Sequence, residues 1–253
     1  VGPDGPAEGK VALVAGGTRG TGFAVARTLM RRGCHVFLNY AHDEAGAKEA
    51  VTALQGEELP GTATALRSDI TRPDALPRLL RGIQQHHDRL DFFVHSAVSF
   101  HPMDAADPAP EGMATDLTAA LAPLVYGVRP LVRAMGGGPG RVVVVSSTGA
   151  RRVVPRYVGA GIAKAALEAQ VRYLAVELAP AGITVNGVST AKLDKGPRSG
   201  DPDLMRALAA RTPAGRLTTP DDIAAVVALL CSDDARWIHG QVITADGGLT
   251  LRA

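Results

Sequence analysis

Cysteine is nearly absent from this chain: Cys34 and Cys231 are the only two among 253 residues. They form no CxxC pair and no zinc-ligand spacing, so neither a dithiol redox centre nor a metal site is expected. Two lone thiols fit a reduced compartment, which points to the cytoplasm. Lysine is also scarce, with five among the 27 basic residues, and the formal charge of +2 excludes a basic nucleic-acid-binding block. No apolar run approaches the ~20 residues of a membrane span; Val142–Val145 and Ala224–Leu230, for example, are far shorter. No linker or low-complexity stretch divides the chain, and a hydrophobic content of 46% supports one buried core over 1–253. The opening VGPDGPAEGK has no secretory pattern, and positions 1–9 read as a mobile leader.

Apolar runs of β character alternate with longer helical stretches throughout. Strands are expected at Lys10–Ala15, His35–Tyr40, Thr62–Ser68, Asp91–His95, Arg141–Ser146, Thr184–Val188 and Gln241–Ala245. Helices are expected at Thr21–Arg32, Glu44–Gln55, Pro73–His86, Glu111–Met135 and Val158–Leu178, with two short ones near the end. Pro123 and Pro130 fall inside the fourth helix and predict a kink or break there. The β-branched run RVVVVS at 141–146 is typical of a parallel strand covered on both faces. The fold class is therefore α/β, a Rossmann-type doubly wound parallel sheet of about seven strands with helices on both faces.

Between the first strand and first helix stands Ala15-Gly16-Gly17-Thr18-Arg19-Gly20-Thr21-Gly22. Glycines in that position let the chain turn tightly and let its backbone approach a pyrophosphate at a helix N-terminus. Gly16, Thr18, Arg19, Gly20, Thr21 and Gly22 are thus candidate dinucleotide-binding residues. The second strand ends in Asn39-Tyr40-Ala41-His42, without the carboxylate that would grip an NAD ribose. A missing acid and a nearby Arg19 favour a 2′-phosphate, hence NADPH, with Asn39 and Tyr40 lining that end.

Tyr157 stands at the mouth of the helix that carries Lys164, seven positions on. Two helical turns place such residues on one face, about 20° apart and roughly 10 Å apart along the axis. A phenol and an ammonium there, with Ser147 just upstream, make a proton-donating site. Taken alone, the same residues also suit a packing tyrosine and a solvated lysine.

With these residues in place the chain resembles the short-chain dehydrogenase/reductase superfamily over essentially its whole length. The likeness rests on the GxxxGxG turn, the Ser147/Tyr157/Lys164 set, the tail Arg211-Thr212-Pro213-Ala214-Gly215-Arg216, Gly240-Gln241 and Asp246-Gly247-Gly248. The superfamily usually leaves three residues between Tyr and Lys, but that position here is Ala160. The Tyr-(x)6-Lys spacing instead resembles the NADPH-using enoyl-thioester reductases and the cyclohexenylcarbonyl-CoA reductases. The resemblance implies reduction of an α,β-unsaturated acyl thioester on CoA or acyl carrier protein, by a homodimer or homotetramer built on the helices from Glu111 and Val158. A carbonyl reductase and a cofactor-binding member without turnover are the alternatives.

The resemblance also assigns Asp69 and Ile70 to adenine, Ser96 and Ala97 to the cofactor's flank, and Lys164 to the nicotinamide ribose. It gives Leu193 to the carboxamide through its backbone, Lys195 to the pyrophosphate, and about 189–212 to a substrate lid. Ala15 stands where relatives carry Thr. His95 is expected as a strand-end residue beside the cofactor. Asp116 replaces an Asn of a proton relay, and is either part of an altered relay or an exposed helix residue. Arg151, Arg152 and Arg156 flank Tyr157 and either meet a phosphopantetheine or CoA phosphate or are solvated.

Overall fold

The computed structural model describes residues 7–136 and 138–252. Its strands are β1 (Val11–Ala15), β2 (His35–Tyr40), β3 (Thr62–Arg67), β4 (Phe92–His95), β5 (Gly140–Ser147), β6 (Ile183–Thr190) and β7 (Val242–Thr244). They form one seven-stranded sheet in the order β3-β2-β1-β4-β5-β6-β7, parallel at every pairing. The order reverses between β1 and β4, which opens a crevice at their C-terminal ends, where parallel α/β sheets bind ligands.

The helices are α1 (Gly20–Arg31), α2 (Glu44–Gln55), α3 (Ala75–Gln84), α4 (Pro110–Ala134), α5 (Val158–Leu178), α6 (Pro202–Arg211) and α7 (Pro220–Cys231). Alternation along β1 shows why both faces need covering. Val11, Leu13 and Ala15 join the core under α3, α4 and α5 with Leu76, Leu124 and Leu167. Ala12 and Val14 join the opposite core with Val25, Leu29 and Leu54 of α1 and α2, and Val227 of α7. A strand buried on both sides cannot alternate apolar with polar, hence the near-continuous aliphatic runs.

At the end of the expected leader, Lys10 N–H donates to Ala7 O at 3.0 Å and Gly9 N–H to Gly33 O at 3.2 Å. The remaining leader positions, 1–6, lie outside the described residues. The strand expected at Thr184–Val188 extends to Thr190, so the chain leaves the sheet later than expected. Helix α4 runs unbroken through Pro123 and Pro130. Proline at 123 removes the N–H that Ala119 O would receive. The ring of His95 stands at that gap, with Nε2 2.9 Å from Ala120 O and Ala119 O also within its reach. A donor from β4 thus serves the stretch of α4 that the proline leaves short.

Candidate active site

The crevice is built first by the glycine turn. Gly16 and Gly17 N–H both donate to Asn39 O, at 3.1 and 3.2 Å, which pins the turn to the end of β2. Gly16 has φ +73°, and a β-carbon there would stand 2.8 Å from Ala97 Cα; one on Gly22 would collide with Gly16 O. These approaches draw the turn, the start of α1 and the end of β4 together. Arg19 precedes α1 in extended backbone and gives no side-chain cap, so the first-turn N–H groups are not occupied by a capping side chain. Bare glycine backbone and an uncapped helix start fit a dinucleotide pyrophosphate.

Asn39, predicted to line the cofactor, has a buried side chain already engaged: Nδ2 donates to Ser68 O at 2.8 Å and to Leu66 O at 3.3 Å. It ties β2 to β3 and serves the turn through its carbonyl. Tyr40 is half-buried, and Arg19 and His42 are exposed. A cavity of about 440 Å³ lies beyond them, lined among others by His42, Arg67, Asp69 and Arg78. Asp69 Oδ1 accepts from Thr71 Oγ1 at 2.7 Å and Thr71 N–H at 3.1 Å. Burial alone would raise its pKa, but these bonds, together with nearby positive charge, hold the carboxyl below its ordinary value. Ile70 is buried beside it.

At the other end, Ser147 closes β5, and its Oγ accepts from Gly149 N–H at 3.2 Å, capping the single-turn helix Thr148–Ala150. Tyr157 leans on the same glycine, where a β-carbon would stand 2.6 Å from ring atoms Cδ1 and Cε1. The Phe100 ring is 5.4 Å away by centroid, and Met103 N–H donates to Arg156 O at 3.2 Å. The structure therefore brings Ser147 and Tyr157 together around Gly149.

Lys164 lies deeper, 6% exposed, with Nζ donating to Val145 O at 2.7 Å. Burial lowers its pKa to about 8. It lines a small recess with Ala97, Asp116, Ala120 and Ala160. His95 faces Lys164 from β4. Burial first, then the lysine charge, lower its pKa to about 4, so the ring is neutral. With Ala120 O accepting from Nε2, the proton is on Nε2 and the buried Nδ1 is a bare lone pair without a partner among the described residues.

Asp116 is not an exposed helix residue. Its side chain is fully buried, and the carboxylate accepts from His101 Nδ1 at 2.8 Å and His101 N–H at 3.2 Å. This grip holds the 99–103 segment that packs on Tyr157, a role the sequence reading missed. Glu168, also missed, is buried between Ser146 and Arg151. Ser96 and Ala97 follow β4, and Ser96 N–H donates to Ala15 O at 3.0 Å, beside the glycine turn. Leu193 is half-buried and bridges to Thr218, whereas Lys195 is exposed, its N–H held by Ser199 Oγ at 2.6 Å. Within the expected lid, α6 buries none of its residues.

Among known proteins, a family model described as enoyl-(acyl carrier protein) reductase matches residues 15–250. A 1-cyclohexenylcarbonyl-CoA reductase of Streptomyces collinus is 35% identical, covering 96% of this chain and 88% of its own. A hydroxynaphthalene reductase of Aspergillus fumigatus is 32% identical over 93% of this chain and 90% of its own. Among solved structures, a promiscuous reductase catalysing keto-reduction at C1 in lugdunomycin biosynthesis superposes with a TM-score of 0.88. It is 32% identical over 98% of this chain and 100% of its own.

Proposed function

This chain belongs to the short-chain dehydrogenase/reductase family of NAD(P)-dependent oxidoreductases, and from that premise we propose that it reduces an α,β-unsaturated acyl thioester with NADPH. The observation that carries this reading is the placement of the phenol. At position 160, where ketone-reducing relatives carry tyrosine, stands a buried alanine facing the Lys164 recess. The tyrosine is three positions earlier, at the helix entrance beside Ser147. Three residues of helix displace its attachment by about 4.5 Å. In conjugate reduction hydride reaches the β-carbon while negative charge gathers on the thioester oxygen, two bonds further than in ketone reduction. A displacement of that size is enough for the phenol to follow the oxygen.

The bound reduced nicotinamide supplies the hydride. Tyr157 donates a hydrogen bond to the thioester oxygen and delivers the proton, with Ser147 beside it orienting the oxygen. Lys164, in a poorly solvated recess, binds the ribose hydroxyls and favours the phenolate as charge develops. Arg19 and the carboxylate-free end of β2 supply the preference for the 2′-phosphate. A cavity of about 410 Å³ beside Tyr157 is lined by Met103, Asp104, Arg152, Val153, Arg156 and Ile162. Its exposed arginines and the 98%-exposed Val153 suit a phosphate-bearing pantetheine arm.

A second reading, ketone reduction, is favoured by the hydroxynaphthalene and lugdunomycin reductases among the relatives. The test measures crotonyl-CoA and acetoacetyl-CoA reduction side by side, with NADPH and NADH. Faster crotonyl-CoA reduction with NADPH is expected. Efficient reduction of the ketone alone would sink the enoyl reading.

A further inference from the structure

We propose that Glu168 is a positioning residue whose buried carboxylate, neutralised by Arg151, fixes the turn between Ser147 and Tyr157. The inference rests on Tyr157 as the reacting phenol. Glu168 is 3% exposed and one helical turn beyond Lys164. Its Oε1 accepts from Ser146 Oγ at 2.8 Å and its Oε2 from Arg151 Nε at 2.8 Å. Ser146 adjoins Ser147. Arg151 closes the turn, its N–H donating to Thr148 O at 3.0 Å, with Arg152 N–H on the same carbonyl at 2.9 Å. One carboxylate therefore ties the end of β5 and the start of the Tyr157 loop to the helix that carries Lys164.

Burying a carboxylate charge is costly unless it is paired and hydrogen-bonded. Among the described residues its paired cation is Arg151. The charge of Arg151 is thus directed inward, while Arg152 and Arg156 line the cavity beside Tyr157. The sequence treats the three arginines alike; the structure separates Arg151 from the other two.

The test compares Arg151→Ala with Arg151→Ala/Glu168→Gln, on whichever of crotonyl-CoA and acetoacetyl-CoA the unmodified protein reduces faster. In the single variant Glu168 loses its counter-ion, and the carboxylate turns from Ser146 towards solvent and draws the turn out of place. We expect kcat to fall ~10- to 100-fold, the scale of a small misplacement of reacting groups, with KM and NADPH affinity little changed. In the double variant the amide needs no counter-ion and still reaches Ser146 Oγ, so at least ~10-fold of the loss returns. A rise in the KM of the CoA thioester at constant kcat, or no recovery in the double variant, overturns the proposal. Amide exchange over 148–157 supplies a readout independent of turnover: faster in Arg151→Ala, slower again in the double variant, and equal in both if the proposal is wrong. Should Arg151→Ala not fold, Arg151→Lys replaces it, with the same recovery expected. Failure of the Tyr157 reading shows separately, as full activity in Tyr157→Phe.

Discussion

Lys164 needs its charge to bind ribose hydroxyls and favour a phenolate, yet it sits where burial lowers its pKa from 10.5 to about 8. The groups facing it do little to restore that charge: His95 from β4 is neutral, and Asp116 from α4 is already engaged by His101. Between about pH 8 and 10.5 the unfolded chain binds the extra proton, so in that window this lysine's burial penalty shrinks as pH rises. Activity runs the opposite way. We expect kcat/KM for NADPH to fall as pH rises through about 8, because that ratio reports the free enzyme. A Lys164→Arg variant, slower throughout, should lack this limb; a flat profile to pH ~10 in the unmodified protein would refute the assignment. The Tyr157–Lys164 spacing was legible from sequence because a helix converts spacing directly into direction. Glu168 with Arg151, and Asp116 with His101, were not, because a loop separates each pair and only the packed fold decides who meets whom.

The strand–turn–helix unit from β1 to α1 is the element in which fold and cofactor site coincide. Gly22 makes this concrete, since a β-carbon there would collide with the Gly16 carbonyl, a backbone atom that cannot rotate away. Gly22→Ala should push α1 from the turn, weakening NADPH binding at least ~10-fold, with ~1–3 kcal/mol lost in stability as for other overpacked sites. Fluorescence titration with NADPH and urea unfolding check the two effects; unchanged affinity would show that the turn does not cradle the dinucleotide. At this scale most of the sheet was readable, because strands such as β5 carry unbroken aliphatic runs between turn signals. Helix α4 is continuous at Pro123 for a physical reason. The missing N–H is a local fact in the sequence, whereas the imidazole of His95 that serves the same stretch arrives from β4.

Across the whole molecule, the surface left uncovered by either core is uneven. Val125 and Tyr126 on α4, with Ile162, Tyr173 and Val176 on α5, are all large apolar side chains about half exposed or more. These two helices pack against each other on one face of the sheet, so their outer surfaces together carry these apolar side chains towards any neighbouring chain. A second copy presenting the same helices would cover these side chains with twofold symmetry, as closed homo-oligomers do. Such an assembly would also brace the start of α5, where Tyr157 stands, against a partner. Tyr173 and Val176 lie three residues apart on one side of α5, 73% and 76% exposed. Replacing both by glutamate should leave the monomer core untouched and place charge in the interface. Sedimentation equilibrium should give a dimer or tetramer for the unmodified chain and a monomer for Tyr173→Glu/Val176→Glu. A monomeric unmodified chain would refute the assembly, and a double variant that sediments unchanged would move the interface off α5.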